Sequence, residues 1–353
     1  MNTKHEDSEI KEEFNNVVFV VGVGRSGTSL LQSMLHAHPD IMFPPETSFL
    51  RRYVANGKYG QLRQQLGISG LVEVLAQDEK IQRLNLSLVE LEKGVCKEAT
   101  GSAFYRYLLS TYIQKRKADE KTFIPWVGDK DPRCLEWMML IWRIFPDAKV
   151  IHIYRDPRDV LLSKRKAAWS RSKPVMWHLF ANSVQIKMGV ADGKNRMPGN
   201  YHECSYEALI SDPANTLHRI CQFLSLSYDV SMLGYAKVSG ELVSESEMEW
   251  KKETFGPLLP ENSQKWRQNL TAYQCVLTEK LCSQVMGMGN YSPTEDRLSF
   301  WGHCKIRVWT VIFAMGQLIY RIVKVVKYEN GKEKGSSTPT SGRLGPSLGK
   351  SRI

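Results

Sequence analysis

The sequence predicts an α/β protein, a P-loop-like three-layer fold with a central, mainly parallel sheet, and local patterns carry that expectation. The run VVFVVG over 17–22 is apolar and β-branched, and it empties into a glycine-rich turn that opens a helix. The run KVIHIY over 149–154 reads as a second buried strand; it stops at Arg155-Asp156-Pro157, where a helix rich in Leu and Lys begins. Between the two, residues 60–117 carry helix-like spacing at Leu71, Val74, Leu75, Leu84, Leu86, Leu88 and Leu91, interrupted by short turns. They predict a helical insert lying over the edge of the sheet. Open α/β sheets bind ligands at the carboxyl ends of their strands, so the two strand-to-helix corners are the places to look for chemistry.

The first corner is a phosphate-cradling turn with one residue missing. Four residues separate Gly22 from Gly27, as in G-x-x-x-x-G-K-[ST], but Thr28 stands where the lysine belongs and Ser29 follows. Backbone N–H groups, hydroxyls and the helix N-terminus remain available to an anion, and Arg25 adds positive charge from within the turn. The usual grip on a β/γ-phosphate pair is gone. A donor carrying one phosphate-like group there fits that loss better than a triphosphate does.

At the second corner Arg155 closes a strand and Ser163 falls two turns into the next helix. An arginine fork and a hydroxyl suit a phosphate monoester. The structural alternative is an arginine paired with Asp156 or Asp159.

These residues resemble a family. GRSGTSLL, with its helix closing in HAHPDI and then PPET, is similar to the 5′-phosphosulfate loop of sulfotransferases that use 3′-phosphoadenosine 5′-phosphosulfate (PAPS). Its spacing is closest to that of the tyrosylprotein sulfotransferases and their bacterial relatives. The resemblance implies that Ser26, Gly27, Thr28 and Ser29 hold the 5′-phosphate, and that Arg155 and Ser163, in an RD-x-R-x-x-x-x-S pattern, hold the 3′-phosphate. Asp129-Lys130-Asp131-Pro132 resembles an N-K-D-P stretch whose lysine contacts the transferred sulfonate, so Lys130 and Arg25 become its stabilisers. HECSYEALISDPANTLHRICQFLSLSYD, over 202–229, resembles a recurrent strand and helix segment that lays Tyr206 over the nucleotide; SQKWRQNLT matches a K-W pair and makes Lys265 a phosphate ligand. Together these matches cover 17–291.

Sulfonate transfer needs a base beside the loop. Glu46 lies 21 residues beyond Arg25, the spacing of the catalytic glutamate in the tyrosylprotein enzymes, and it follows the stiff pair Pro44-Pro45. A helix cap is the structural alternative for such a carboxylate. Many cytosolic sulfotransferases use a histidine instead, which makes His36, His38 and His152 the competitors, ranked below Glu46. Departures from the family pattern concern the acceptor and the second phosphate. Ser48 stands where an arginine contacts acidic peptide, although Arg52 matches a second basic position. A further 3′-phosphate contact falls on Ala167, with Lys164, Arg165 and Lys166 as substitutes, and the serine expected before Lys265 has no clear equivalent because Ser244 and Ser246 are offset. The expected acceptor is accordingly a hydroxyl or amine of a small molecule, sugar, lipid or peptide, in a pocket shaped by the helical insert. No metal is implied. The competing functions are a nucleotide or metabolite kinase, which the absent lysine argues against, and an inactive phosphonucleotide-binding protein, which Glu46 and Lys130 argue against.

Composition agrees. The chain has 353 residues, 42% of them apolar, which is enough for a sizeable core, and a net charge of +11 that suits an anionic ligand. Basic residues form no stripe interleaved with aromatics, so nucleic acid is not expected as a partner. Seven cysteines without a C-x-x-C pair give neither a zinc ribbon nor a redox dithiol. The expected organisation is a polar arm over 1–16, a sulfotransferase domain over 17–293, an apolar and basic helical segment over 294–329, and a disordered tail over 330–353. The polar, acidic start carries no hydrophobic stretch, unlike the anchored Golgi enzymes, and predicts a cytoplasmic protein. Within 305–327 the uncharged run 308–320 is flanked by tryptophans and by lysines and arginines. It reads either as a helix on a membrane surface or as one packed on the domain or a second subunit, with a bilayer-spanning helix ranked below both because the run is shorter than the roughly 20 residues a span needs.

Overall fold

The computed structural model describes residues 16–120, 124–251, 254–295 and 298–330; the arm before Asn16 and the tail after Asn330 lie outside the described residues. Five parallel strands form one sheet in the order β2-β3-β1-β4-β5, with β1 Asn16–Gly22, β2 Ile41–Met42, β3 Trp126–Lys130, β4 Lys149–Tyr154 and β5 Tyr201–Ser205. This is the α/β architecture the two corners predicted.

The register explains why chemistry collects at one edge. Val20 of β1 pairs with Lys130 of β3, and Gly22 pairs with Ile153 of β4. Parallel alignment therefore brings the glycine turn, Lys130 and Arg155 to the same carboxyl edge. The strands read as unbroken apolar runs because both faces are covered. Phe19 and Val21 point into one layer with Leu135 and Leu161, while Val18, Val20, Ile151 and Ile153 point into the other with Leu31, Leu35, Leu209 and Leu217.

The insert is helical, comprising chiefly Lys58–Ala76, Leu88–Lys97 and Gly101–Glu120. A capping box between Ser87 and Glu90 starts the second of these. Its attachment to the sheet is aromatic: Phe49 stacks on Tyr53 at 4.8 Å and on Tyr105 at 5.8 Å, and the Tyr105 hydroxyl donates to Asp129, the neighbour of Lys130. Packing of the insert thus fixes the end of β3.

The helix Phe300–Asn330 continues well past the 308–320 run. Its inner face packs on the domain: Ile306 and Phe313 are buried, Gln317 donates to Ser183 Oγ at 2.8 Å, and Tyr320 donates to Glu136 Oε2 at 2.5 Å. The stretch Phe300–Val326, with mean hydropathy 1.4, is long and apolar enough to cross a membrane by length and composition alone.

Candidate active site

The turn after β1 is built from backbone conformations that few residues accept. Arg25 has φ 79° and Gly27 φ 98°, both left-handed, and Ser26 N donates to Val23 O at 3.0 Å. Gly27 is needed twice over, because a Cβ there would also sit 2.4 Å from the Tyr206 ring. Tyr206 therefore lies against the loop. The Ser26 hydroxyl donates to Ile153 O at 3.0 Å, tying the turn to β4. Both Ser26 donors are engaged within the protein, and Gly27, Thr28 and Ser29 stand at the start of the helix Thr28–His36.

Arg25 reaches across the edge and donates through Nε to Ser163 Oγ at 2.9 Å. Arg155 stacks its guanidinium 4.3 Å from the centre of the Tyr206 ring and donates to Asn262 O at 2.5 Å, while Asn262 donates to the Tyr206 hydroxyl at 3.1 Å. Among the described residues, the buried Arg155 Nε has no hydrogen-bond partner. A buried donor in that state costs free energy. The two neighbouring carboxylates that the sequence offered to Arg155 are occupied, and Glu249 lines the same cleft. Asp156 holds Arg158 at 2.7 Å, and Asp159 accepts from Gln264 N at 2.7 Å and Trp266 N at 2.9 Å. The Asp159 latch positions Lys265, which with Arg25, Arg155, Ser163, Lys166 and Asn262 lines a cleft of about 340 Å³. Of the three substitutes for the basic residue missing at Ala167, only Lys166 faces this cleft: Lys164 is buried, which pushes its ammonium down to about 8, and Arg165 reaches Gln274 at 3.5 Å.

Glu46 lies in the loop after β2. Lys130, 1% exposed, donates to its Oε2; Lys80 donates to Oε1 at 2.9 Å and Ser48 Oγ at 3.1 Å. Burial by itself would raise the Glu46 carboxyl, but Lys130, Lys80 and Lys251 outweigh it and hold the group well below the ordinary carboxylate range. Lys130 is driven the opposite way by burial, and Glu46 restores and raises it. Burial and the Lys130 charge together push Lys251 down to about 7. Glu46 is thus an ionised carboxylate closed on a buried ammonium, and it caps no helix.

The three histidines are otherwise employed. His36 Nδ1 accepts from Phe43 N at 3.1 Å, and His38 accepts from Asp40 N at 3.1 Å and meets Ser227 O at 2.9 Å. His152, fully buried in β4, faces the Tyr201 hydroxyl at 2.6 Å, and burial pushes it down to about 3. Sequence reasoning missed Asn262, Lys80 and Lys251, which arrive through tertiary packing and carry no local motif.

Comparison with known proteins agrees with this geometry. The model of the sulfotransferase family matches residues 17–230, and the chain belongs to that family. A putative protein-tyrosine sulfotransferase of Caenorhabditis briggsae is 27% identical over 244 residues, covering 67% of this chain and 75% of its own. Protein-tyrosine sulfotransferase 2 of Gallus gallus is 26% identical over 234 residues, covering 64% and 55%. Protein-tyrosine sulfotransferase 1 of Mus musculus is 34% identical over 142 residues, covering 40% and 32%. The chain therefore matches about half of the Gallus gallus relative and a third of the Mus musculus one. Among solved structures, the sulfotransferase domain of the Synechococcus PCC 7002 olefin synthase aligns with a TM-score of 0.57 at 22% identity, covering 80% of this chain and 96% of that one. The sulfotransferase domain from the curacin biosynthetic pathway aligns with a TM-score of 0.56 at 16% identity, covering 80% and 99%. At those identities the likeness is one of fold.

Proposed function

We propose that this chain moves the sulfonate of PAPS in line onto a hydroxyl or amine of an acceptor and releases adenosine 3′,5′-bisphosphate, with Glu46 as general base. The observation that carries this reading is the pairing of a lysine-free glycine turn with a cleft to which Arg25, Arg155, Lys166 and Lys265 all contribute. The turn suits a single 5′-phosphosulfate, and Arg155, Ser163 and Lys265, with Lys166 beside them, suit a 3′-phosphate. Tyr206 offers its ring to the nucleotide between them.

In the reaction the acceptor oxygen or nitrogen bonds to sulfur as the sulfur–phosphate oxygen bond breaks, and the acceptor proton passes to Glu46. Positioning and electrostatics supply most of such a rate. Lys130, now closed on Glu46, turns to the sulfonate oxygens together with Arg25; losing that partner makes Glu46 a stronger base at the moment one is needed. The names of the relatives favour a tyrosyl hydroxyl in a peptide as one acceptor, while Ser48 in place of an arginine keeps small-molecule, sugar and lipid acceptors equally in view.

Titration calorimetry tests the donor. Adenosine 3′,5′-bisphosphate binds more tightly than adenosine 5′-phosphate, and both more tightly than ATP; preference for ATP would replace this reading with the kinase.

A further inference from the structure

Among the described residues nothing covers the outward face of the helix Phe300–Asn330 over 300–326. Val308, Val311, Met315, Leu318 and Ile322 repeat at the spacing that lines one helical stripe, opposite the buried Ile306 and Phe313, and all five are exposed. Phe300 and Trp301, also exposed, stand at one end. Lys305 and Arg321 leave the helix on either side of that stripe, and there is no Asp or Glu from Phe300 to Lys327. A contiguous apolar surface of this length on a folded domain marks an interaction site. Its flanking charge is of one sign.

The same helix forms one wall of a second cleft. Tyr320, Val323 and Lys324 face Arg51, Arg52, Asn56, Lys58, Arg133 and Trp137 across about 370 Å³. Five cations there meet three carboxylates: Arg51 pairs with Asp131 at 3.0 Å, Arg52 with Asp78 at 2.6 Å, and Arg133 and Lys324 share Glu136. Lys58 sits over the Tyr53 ring, 5.0 Å from its centre. The chemistry proposed at Glu46 uses neither the stripe nor this cleft.

We propose that the helix Phe300–Asn330 rests on an anionic lipid surface by its outward stripe, with a lipid phosphate headgroup taken into the cationic cleft beside Val323. The two features adjoin at Val323, which is exposed, lines the cleft and lies one helical turn from Ile319 at the stripe's edge. The helix lies along the surface and does not span it, since its inner face is bonded to the domain from Gln317 to Lys324. A stripe buried in the acyl boundary with lysine and arginine at headgroup level matches what is exposed, and a phosphate suits the excess cations.

The test is co-sedimentation of the full chain with phosphatidylcholine vesicles, with and without phosphatidylserine, at rising salt. The chain is expected to pellet with the phosphatidylserine vesicles and to release as salt rises. Ile319→Asp, at an exposed position on the stripe's edge, should abolish pelleting, and Lys58→Glu should weaken it about tenfold, since one surface cation is worth about fivefold and reversal removes more. Binding of adenosine 3′,5′-bisphosphate checks that both variants are folded. Retention of pelleting in both variants overturns the proposal. So does a full chain that ignores vesicles while inorganic phosphate saturates the cleft and changes Trp137 fluorescence, which would make the site one for soluble anions. A chain that ignores vesicles and sediments as a dimer broken by Ile319→Asp would show instead that a second copy covers the stripe.

Discussion

Lys130 and Glu46 form a buried pair whose two charges depend on each other: the ammonium is 1% exposed and closes on Oε2 of the carboxylate, leaving Oε1 to Lys80. The arrangement fixes a pH dependence. A base must be ionised, so kcat/KM rises with pH through the Glu46 pKa of the free enzyme, and that pKa lies well below its usual 4.5. The acid limb should fall below 4.5. Lys80→Met removes one of the cations that lower it and should move the limb toward higher pH, with donor affinity nearly unchanged. A limb that stays in place in the variant would separate the pH profile from Glu46.

Arg155 is expected to read the 3′-phosphate. Arg155→Ala should lower affinity for adenosine 3′,5′-bisphosphate by about 1.5–3 kcal/mol, the worth of a charged hydrogen bond, and leave adenosine 5′-phosphate almost untouched. Calorimetry on the pair of ligands separates the two cases. Equal losses for both would assign Arg155 to the architecture of the loop through Arg25 O and Asn262 O instead.

Gly27 combines a left-handed backbone with close packing against the Tyr206 ring. Gly27→Ala should cost about 1–2 kcal/mol from the left-handed backbone alone and more from the clash with Tyr206, which has to move off the loop. Urea unfolding and ligand binding should both deteriorate. A variant with wild-type stability and affinity would mean that the loop and Tyr206 are not packed as described.

His152 is expected to contribute to acid sensitivity. Burial, with a smaller contribution from Lys194, pushes the imidazole from its usual 6.5 to about 3 in the folded chain. Between those values the unfolded chain binds a proton at this site that the folded one refuses, so the contribution of His152 to stability falls as pH drops from 6.5 toward 3. In His152→Phe the slope of unfolding free energy against pH should lose one proton over that window, read by urea titrations at each pH. An unchanged slope would place the acid sensitivity elsewhere.

Much of this site was legible in the chain because its parts are local. A β-branched run, a glycine turn and a helix start announce β1 and its loop, and Arg155-Asp156-Pro157 marks the end of β4 for the same reason. Glu46 and Lys130 were found by the segments around them. What escaped arrives from a distance. Lys80 comes from the helical insert and Lys251 from the helix Glu245–Lys251, and nothing in their own neighbourhoods points to Glu46. Asn262 acts through its backbone carbonyl and amide side chain, which leave no pattern. The helix Phe300–Asn330 outran the 308–320 estimate because Arg321 and Lys324 break the apolar run without breaking the helix; Lys324 finds Glu136 on the domain.

The central claim is sulfonate transfer from PAPS, with Glu46 taking the acceptor proton. The most direct measurement uses PAPS labelled in its sulfonate, incubated with the full chain and pooled tyrosine-containing peptides, small metabolites, sugars and lipids. Label should pass to an acceptor, with one adenosine 3′,5′-bisphosphate formed for each transfer. Glu46→Gln should bind that product as the wild type does yet turn over about 100-fold or more slowly. Undiminished transfer by Glu46→Gln would remove Glu46 from the role of base, and an enzyme that leaves the sulfonate label in place but moves the γ-phosphate of ATP would contradict the account outright.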